Sequence, residues 1–167
     1  VISGALKYGV SLIDLNIDSD GMVNGQVLTS DVSDLESLYV GFKNINSLVG
    51  IQDFTSLKYL TCLGNQISDL NLAQNTNLIE IQCGGNQLTT LNLGVNSNLE
   101  TLHCSSNKLA SLNVESNINL ATLNCASNEL SDLNVSFNVN LFEFSCSSNQ
   151  IDDLDVSTNI KLQILDC

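Results

Sequence analysis

The stretch LNCASNELSDLNVSFNVNLFEFSCSSNQIDDLDVSTNIKLQILDC, residues 123–167, contains three cysteines at a constant interval. The whole chain of 167 residues has six cysteines, and each lies twenty-one residues from the next. They are Cys62, Cys83, Cys104, Cys125, Cys146 and Cys167. A fixed period of this length is typical of a solenoid, in which each repeat buries its apolar side only against its neighbours. The cysteine spacing therefore predicts a repeat architecture.

Two series of asparagines keep the same period. The strand-end asparagines follow each cysteine by three residues and are Asn65, Asn86, Asn107, Asn128 and Asn149. The return-bend asparagines follow by thirteen and are Asn75, Asn96, Asn117, Asn138 and Asn159. A buried amide can donate to and accept from the backbone of an adjoining loop, which satisfies groups that would cost about 1–3 kcal/mol each if unpaired. We expect the strand-end series to form a hydrogen-bonded ladder, and the return-bend series to do the same on the opposite bend.

One repeat, IQCGGNQLTTLNLGVNSNLET (residues 81–101), shows the local pattern. The opening I-x-C alternates with period two, which predicts a short half-buried strand. The following CGGNQ predicts a tight turn, because Gly and Asn tolerate positive φ. The rest of the repeat has no helical periodicity, so we expect an extended return limb and a narrow coil.

The cysteines are expected to stack on one face of a parallel sheet, about 4.8 Å apart. Parallel side-chain vectors leave the Cβ atoms farther apart than the roughly 3.8 Å typical of a disulfide, so free buried thiols are favoured over bridges. Zinc is disfavoured, because its sites need two ligands close in sequence and each repeat supplies one.

Composition excludes two classes of partner. Eighteen acidic residues against five basic ones give a net charge of −13, which repels nucleic acid and anionic membranes. No apolar run approaches the roughly 20 residues that span a bilayer, so no membrane insertion is expected. Because the sequence begins at Val1, we interpret it as a mature or trimmed product.

The repeat LHCSSNKLASLNVESNINLATL, residues 102–123, resembles the leucine-rich repeat of bacterial surface proteins, and in particular the cysteine-ladder internalins. The resemblance covers residues 35–167: one repeat of about 22 residues, with Val40 and Lys43 in place of cysteine and asparagine, and then the 21-residue repeats. It implies a right-handed leucine-rich repeat solenoid with short parallel strands on the concave face and little helix. It also implies a secreted or bacterial cell-surface protein.

Residues 1–34 are predicted to form an amino-terminal cap. Proteins that this chain resembles carry an EF-hand-like calcium loop there, and DSDGMVNGQVLTSD (residues 18–31) is a damaged version of it. In one frame, Gly21 and Met22 are an insertion; in another, starting at Asn16, Val27 occupies the place of the last carboxylate. Calcium needs six to eight oxygens, so a calcium site and a purely structural turn remain alternatives; no other cofactor is expected. The candidate ligands are Asp18, Asp20, Asn24, Gln26 and Asp31.

Side chains flanking the inward leucine and cysteine should point outward on the concave face. They are polar, small and nearly uncharged, which favours binding over catalysis. His103 is the only histidine, and an open sheet offers no enclosed pocket for an activated nucleophile. Glu80 and Glu143 should lie roughly 14 Å apart, beyond the ~9.5 Å of an inverting glycosidase pair. The predicted binding residues are Tyr39, Tyr59, Thr61, Leu63, Gln82, His103 and Asn124.

The sequence therefore predicts a binding module without catalytic activity, which recognises a protein or carbohydrate ligand at a surface. A passive spacer and a substrate-recognition arm of a larger secreted enzyme are the alternatives. The tyrosines could equally serve only to cover the cap junction. Because Cys167 falls within a predicted strand and solenoids need terminal caps, we expect the natural protein to continue beyond it; an end-to-end dimer through this open edge is the other reading.

Overall fold

The computed structural model describes residues 29–167. Asp18, Asp20, Asn24 and Gln26 of the predicted calcium loop lie outside the described residues. Asp31 lies in a four-residue helix, Thr29–Val32, but its side chain is not described. The calcium prediction therefore stays a prediction.

Short parallel strands dominate the described part of the chain. A 3-10 helix, Ile51–Asp53, precedes β2. In chain order the strands are β1 (Ser37–Tyr39), β2 (Tyr59–Thr61), β3 (Asp69–Asn71), β4 (Glu80–Gln82), β5 (Thr90–Asn92), β6 (Thr101–His103), β7 (Thr122–Asn124), β8 (Glu143–Ser145) and β9 (Ile164–Asp166).

Seven of these strands form one sheet in the order β1-β2-β4-β6-β7-β8-β9, and β3 pairs with β5 in a second sheet of two strands. Every pairing is parallel, and from β2 onward each partner lies one 21-residue period along the chain. The inward residue Leu60 thus aligns with Ile81, and Ile81 with Leu102. The predicted leucine-rich repeat solenoid with little helix is confirmed.

The core is a set of side-chain columns inside the coil. The inward strand position holds Leu60, Ile81, Leu102, Leu123 and Phe144, all at most 1% exposed. Because each column repeats every 21 residues, each repeat covers the apolar side of the one before it. No helix within residues 29–167 is long and apolar enough to cross a membrane.

The cysteine column lies beside this leucine column. Cys62, Cys83, Cys104 and Cys125 are 0% exposed and Cys146 is 4% exposed, and all six cysteines are free thiols. Burial raises the pKa of Cys62 and of Cys104 to about 12. Cys167, the last residue of the chain, is exposed.

The strand-end asparagines form the expected ladder. In Asn128, Oδ1 accepts the N–H of Leu109 at 3.0 Å, and Nδ2 donates to the carbonyls of Cys104 and Cys125 at 3.1 and 2.9 Å. The side chain therefore joins its own repeat to the preceding one. Asn65, Asn86, Asn107 and Asn149 repeat this arrangement.

The return-bend asparagines differ from the expectation. Nδ2 of Asn138 donates to the carbonyls of Val114 and Asn117, both at 2.9 Å, so this series also joins neighbouring repeats. However, Oδ1 of each of the five is buried and accepts no hydrogen bond. The return-bend side chains therefore donate as predicted, but the prediction that they also accept is wrong. Turning the amide over would not help, because it would place Oδ1 against two carbonyl oxygens.

Candidate binding face

The concave face is built from the outward side chains of the seven-stranded sheet. Its central column contains five of the seven predicted binding residues, because the strand register aligns the last residue of each strand with the last residue of the next strand. The column runs Tyr39, Thr61, Gln82, His103, Asn124, Ser145 and Asp166. Strand spacing of about 4.8 Å makes this a ridge some 29 Å long.

Tyr59 belongs to the neighbouring column, where its register partners are Ser37 and Glu80. Tyr39 and Tyr59 therefore sit on adjacent strands but are offset diagonally. Tyr39 is 63% exposed, whereas Tyr59 is half-buried. The two tyrosines form an aromatic corner at the amino-terminal end of the face.

Charges on the outward side chains of the sheet are acidic. Glu80 Oε1 accepts a hydrogen bond from Gln82 Nε2 at 2.5 Å. At the other end, Ser145 Oγ and Ser147 Oγ donate to Asp166 Oδ2 at 2.9 and 2.7 Å. The hydrogen bond from Ser147, followed by that from Ser145, stabilises the charged carboxylate and lowers the pKa of Asp166.

The residues considered as catalytic candidates, Glu80, Glu143 and His103, lie at separate positions on this face. Glu80 and Glu143 occupy the same column, with Thr101 and Thr122 between them. Three strand spacings therefore separate them, and one spacing is about 4.8 Å. His103 lies between Gln82 and Asn124 in the open column, and among residues 29–167 no group of three His, Cys, Asp or Glu side chains is arranged to hold a metal ion.

A hollow at one edge of the face was missed by the sequence analysis, although it includes the predicted Leu63, Gln82 and His103. We call it the glycine hollow, and it has a volume of about 310 Å³. It is lined by Phe42, Leu63, Gly64, Gln82, Gly84, Gly85, His103 and Ser105. The missed signal was the presence of glycine after the first two cysteines, in LG and GG, where later repeats have SS, AS and SS.

Phe42 forms the wall of the glycine hollow. Its ring is 75% exposed, and it lies so close to Gly64 that a Cβ there would fall 2.3 Å from Phe42 Cε1. Its φ of 55° is uncommon for a bulky residue. Sequence periodicity does not reveal this ring, because the corresponding position in later repeats is Gly or Ser.

Comparisons with known proteins agree with the geometry. The chain is similar in structure to the functional domain of InlJ from Listeria monocytogenes, which includes a cysteine ladder; the two are 38% identical, with a TM-score of 0.81 over 84% of this chain and 32% of that one. It is also similar to a leucine-rich repeat protein of Leptospira interrogans, with 26% identity and a TM-score of 0.74 over 82% of this chain and 38% of the other. The chain thus spans less than two fifths of either protein. No protein-family model and no curated protein matches the sequence.

Proposed function

We propose that this chain, a leucine-rich repeat solenoid with a cysteine ladder, is the recognition module of a secreted or cell-surface bacterial protein and binds a protein ligand through its concave face. The observation that carries the proposal is the continuous outward column from Tyr39 to Asp166. In β2, β4, β6, β7 and β8 the inward residue between the outward side chains is at most 1% exposed, and this burial holds the face rigidly.

Rigidity favours binding because little side-chain and backbone freedom remains to be lost when a ligand is bound. Each strand is held by the neighbouring strands and by the strand-end asparagines, which tie consecutive turns together. Half-buried polar side chains such as Thr61, Gln82 and Asn124 provide hydrogen-bonding groups at fixed spacing. This is the arrangement by which solenoids present an extended concave surface.

The similarity to InlJ of Listeria monocytogenes supports a surface location, and the long row of exposed and half-buried polar side chains in the outward column supports binding. Aromatic side chains commonly anchor protein interfaces. Tyr39 and Tyr59 therefore mark where the strongest contacts of the central face should lie. The sequence also allowed a carbohydrate ligand, and the experiment below distinguishes it from a protein ligand.

The experiment is capture of purified cell-surface ectodomains and of a polysaccharide panel by the immobilised chain, in calcium and in chelator. The Tyr39→Ala/Tyr59→Ala double variant should lose specific capture at least tenfold. Phe137→Ala is the matched control, because Phe137 is 56% exposed but lies beside the return-bend Asn138, away from the outward columns. It should bind like the unchanged chain.

The outcomes separate the alternatives. Capture of a protein that only the tyrosine variant loses supports recognition by this face, whereas capture of a polysaccharide alone would replace the protein ligand. Absence of capture in both conditions would favour the passive spacer. Loss in chelator only, together with a calcium-dependent rise in melting temperature that Asp20→Ala removes, would show that the predicted loop binds calcium and supports the face.

A further inference from the structure

The glycine hollow exists because two consecutive repeats lack side chains there. Gly84 and Gly85 occupy positions that hold Ser105 and Ser106 in the next repeat, and Gly64 lies beneath the ring of Phe42. Gly85 has φ of 64° and Ser106 has φ of 56°, so the backbone is alike in both repeats. Serine takes the same backbone conformation one repeat later, although a Cβ at Gly84 would lie 3.2 Å from the carbonyl oxygen of Ser105. The space that the two glycines leave is a local feature of repeat 81–101.

The lining of the hollow is mostly apolar, and the side chain of Gln82 adds a hydrogen-bond acceptor. The floor consists of the glycine backbone and Leu63, and the exposed ring of Phe42 closes one side. On the other side, Gln82 donates its amide hydrogen to Glu80. The Gln82 Oε1 atom therefore remains an acceptor next to a carboxylate.

Two further observations point to a cationic occupant. Phe42 places an exposed aromatic ring at a turn position where later repeats carry Gly or Ser, and an aromatic face attracts a guanidinium or ammonium group. The chain carries eighteen acidic and five basic residues, and the charged outward side chains of the sheet columns, Glu80, Glu143 and Asp166, are acidic. Such a field accelerates the approach of basic partners.

We propose that the glycine hollow binds an arginine or lysine side chain from a basic segment of the protein ligand. The aliphatic stem of this side chain lies on Leu63 and the glycine floor, as such stems do on apolar surfaces. Its charged end contacts the ring of Phe42 and the acceptor oxygen of Gln82, which is hydrogen-bonded through its amide nitrogen to the carboxylate of Glu80. The inference rests on the proposed function, since it assigns the chemistry of one part of the ligand.

The test uses amide chemical shifts of the 15N-labelled chain during titration with the peptide acetyl-Gly-Arg-Gly-amide. The matched probe replaces arginine with citrulline, which keeps the stem and the planar end group but has no charge. We expect saturable shifts at Gly64, Gly84, Gly85, His103 and Ser105, with the arginine peptide binding at least fivefold more tightly than the citrulline peptide. Raising the salt from 50 to 500 mM should reduce this preference.

Two variants locate the site. Gly84→Ser/Gly85→Ser gives this repeat the residues of its neighbour and fills the hollow, and Phe42→Ala removes the wall; each should weaken binding of the arginine peptide at least fivefold. Ala126→Ser is the control, because it introduces serine at the position equivalent to Gly84 two repeats later. Equal binding of both peptides, or unchanged binding by both variants, would overturn the proposal.

Its failure can be distinguished from failure of the proposed function. If the serine variant captures the protein ligand as well as the unchanged chain, while the Tyr39→Ala/Tyr59→Ala variant does not, the concave face binds but the hollow is not involved. If no variant and no condition captures a ligand, the recognition function itself fails.

Discussion

The two asparagine series of this solenoid have the same period and the same residue type, but they are hydrogen-bonded differently. In the strand-end series both ends of the amide are used; in the return-bend series the donor is used and the acceptor is buried without a partner. An identical pattern in sequence therefore corresponds to two different energetic roles.

The difference becomes clear from the groups that each side chain serves. The N–H of Leu109 has its hydrogen bond to Asn128 Oδ1. In contrast, the carbonyls served by Asn138 also accept backbone N–H groups: Val114 O from Asn117, and Asn117 O from Leu120, both at 3.0 Å. Removal of Asn128 orphans a donor, whereas removal of Asn138 leaves every carbonyl with one partner. Buried orphan N–H groups are rarer in proteins than carbonyls with a single bond.

The largest effect should follow from Asn128→Leu, which retains the size of the side chain but removes its polar atoms. The variant leaves the buried N–H of Leu109 unpaired and weakens two carbonyl contacts, so we expect the free energy of unfolding to fall by about 2–3 kcal/mol. Urea unfolding followed by circular dichroism measures it. A loss below about 1 kcal/mol would show that the strand-end ladder is not the stronger of the two.

High pH should lower the free energy of unfolding through the buried thiols, which lie on the strand side of the coil. Cys104 has its pKa raised by burial to about 12, while a thiol in the unfolded chain has a pKa near 8.5. The folded state therefore retains a proton that the unfolded state loses, so this contribution to stability is complete below about pH 8.5 and declines as the pH rises towards 12.

The Cys104→Ala variant tests this linkage. It should cost roughly 1 kcal/mol at pH 7.5 through lost packing. At pH 10.5 the difference should shrink by about 2.8 kcal/mol, because this pH lies about two units above the unfolded pKa and each unit corresponds to about 1.4 kcal/mol. At that pH the variant should therefore be at least as stable to unfolding as the unchanged chain. Urea unfolding of both proteins at the two pH values measures the difference, and a difference independent of pH would contradict the buried, protonated thiol.

Asn138→Leu should cost about 1 kcal/mol or less. The substitution removes two hydrogen bonds to carbonyls that keep their backbone N–H partners. It also removes a buried amide oxygen that accepts no hydrogen bond. The same urea experiment, with Asn128→Leu as its matched partner ten residues away in the same repeat, measures the contrast directly. Equal losses in the two variants would mean that the return-bend acceptor is satisfied in solution.

The smallest effect is expected from Asn113→Ala on the exposed flank. Asn113 Oδ1 accepts the N–H of Glu115 at 3.0 Å, but both groups face water and can exchange this bond for one with solvent. We expect a change below about 0.5 kcal/mol, measured as for the other variants. A larger loss would indicate that the period, rather than burial, determines what an asparagine contributes.

The sequence was sufficient to predict the solenoid, the inward cysteines and the strand-end ladder, because each depends on a short-range pattern that is repeated in register. It also placed Tyr39, Gln82 and His103 on the concave face, since alternation along a strand determines direction. It could not predict the half-satisfied return bend, because whether Oδ1 of Asn138 finds a donor depends on the course of the adjoining loop. The glycine hollow was missed for a similar reason: it arises where Phe42, Gly64 and Gly84 break the repeat, and a search for regularity passes over exceptions.

The parallel register has a consequence for how such a chain can change over evolutionary time. From Asn65 onward, each rung of the two asparagine ladders makes its inter-repeat bonds to residues about one period earlier, so rungs farther away are not directly involved. Duplication or deletion of one repeat's worth of codons would therefore restore every rung to an equivalent partner. A recombining gene could lengthen or shorten the concave face without redesigning its core, whereas a shift by a single codon would disrupt the cysteine, leucine and asparagine columns together.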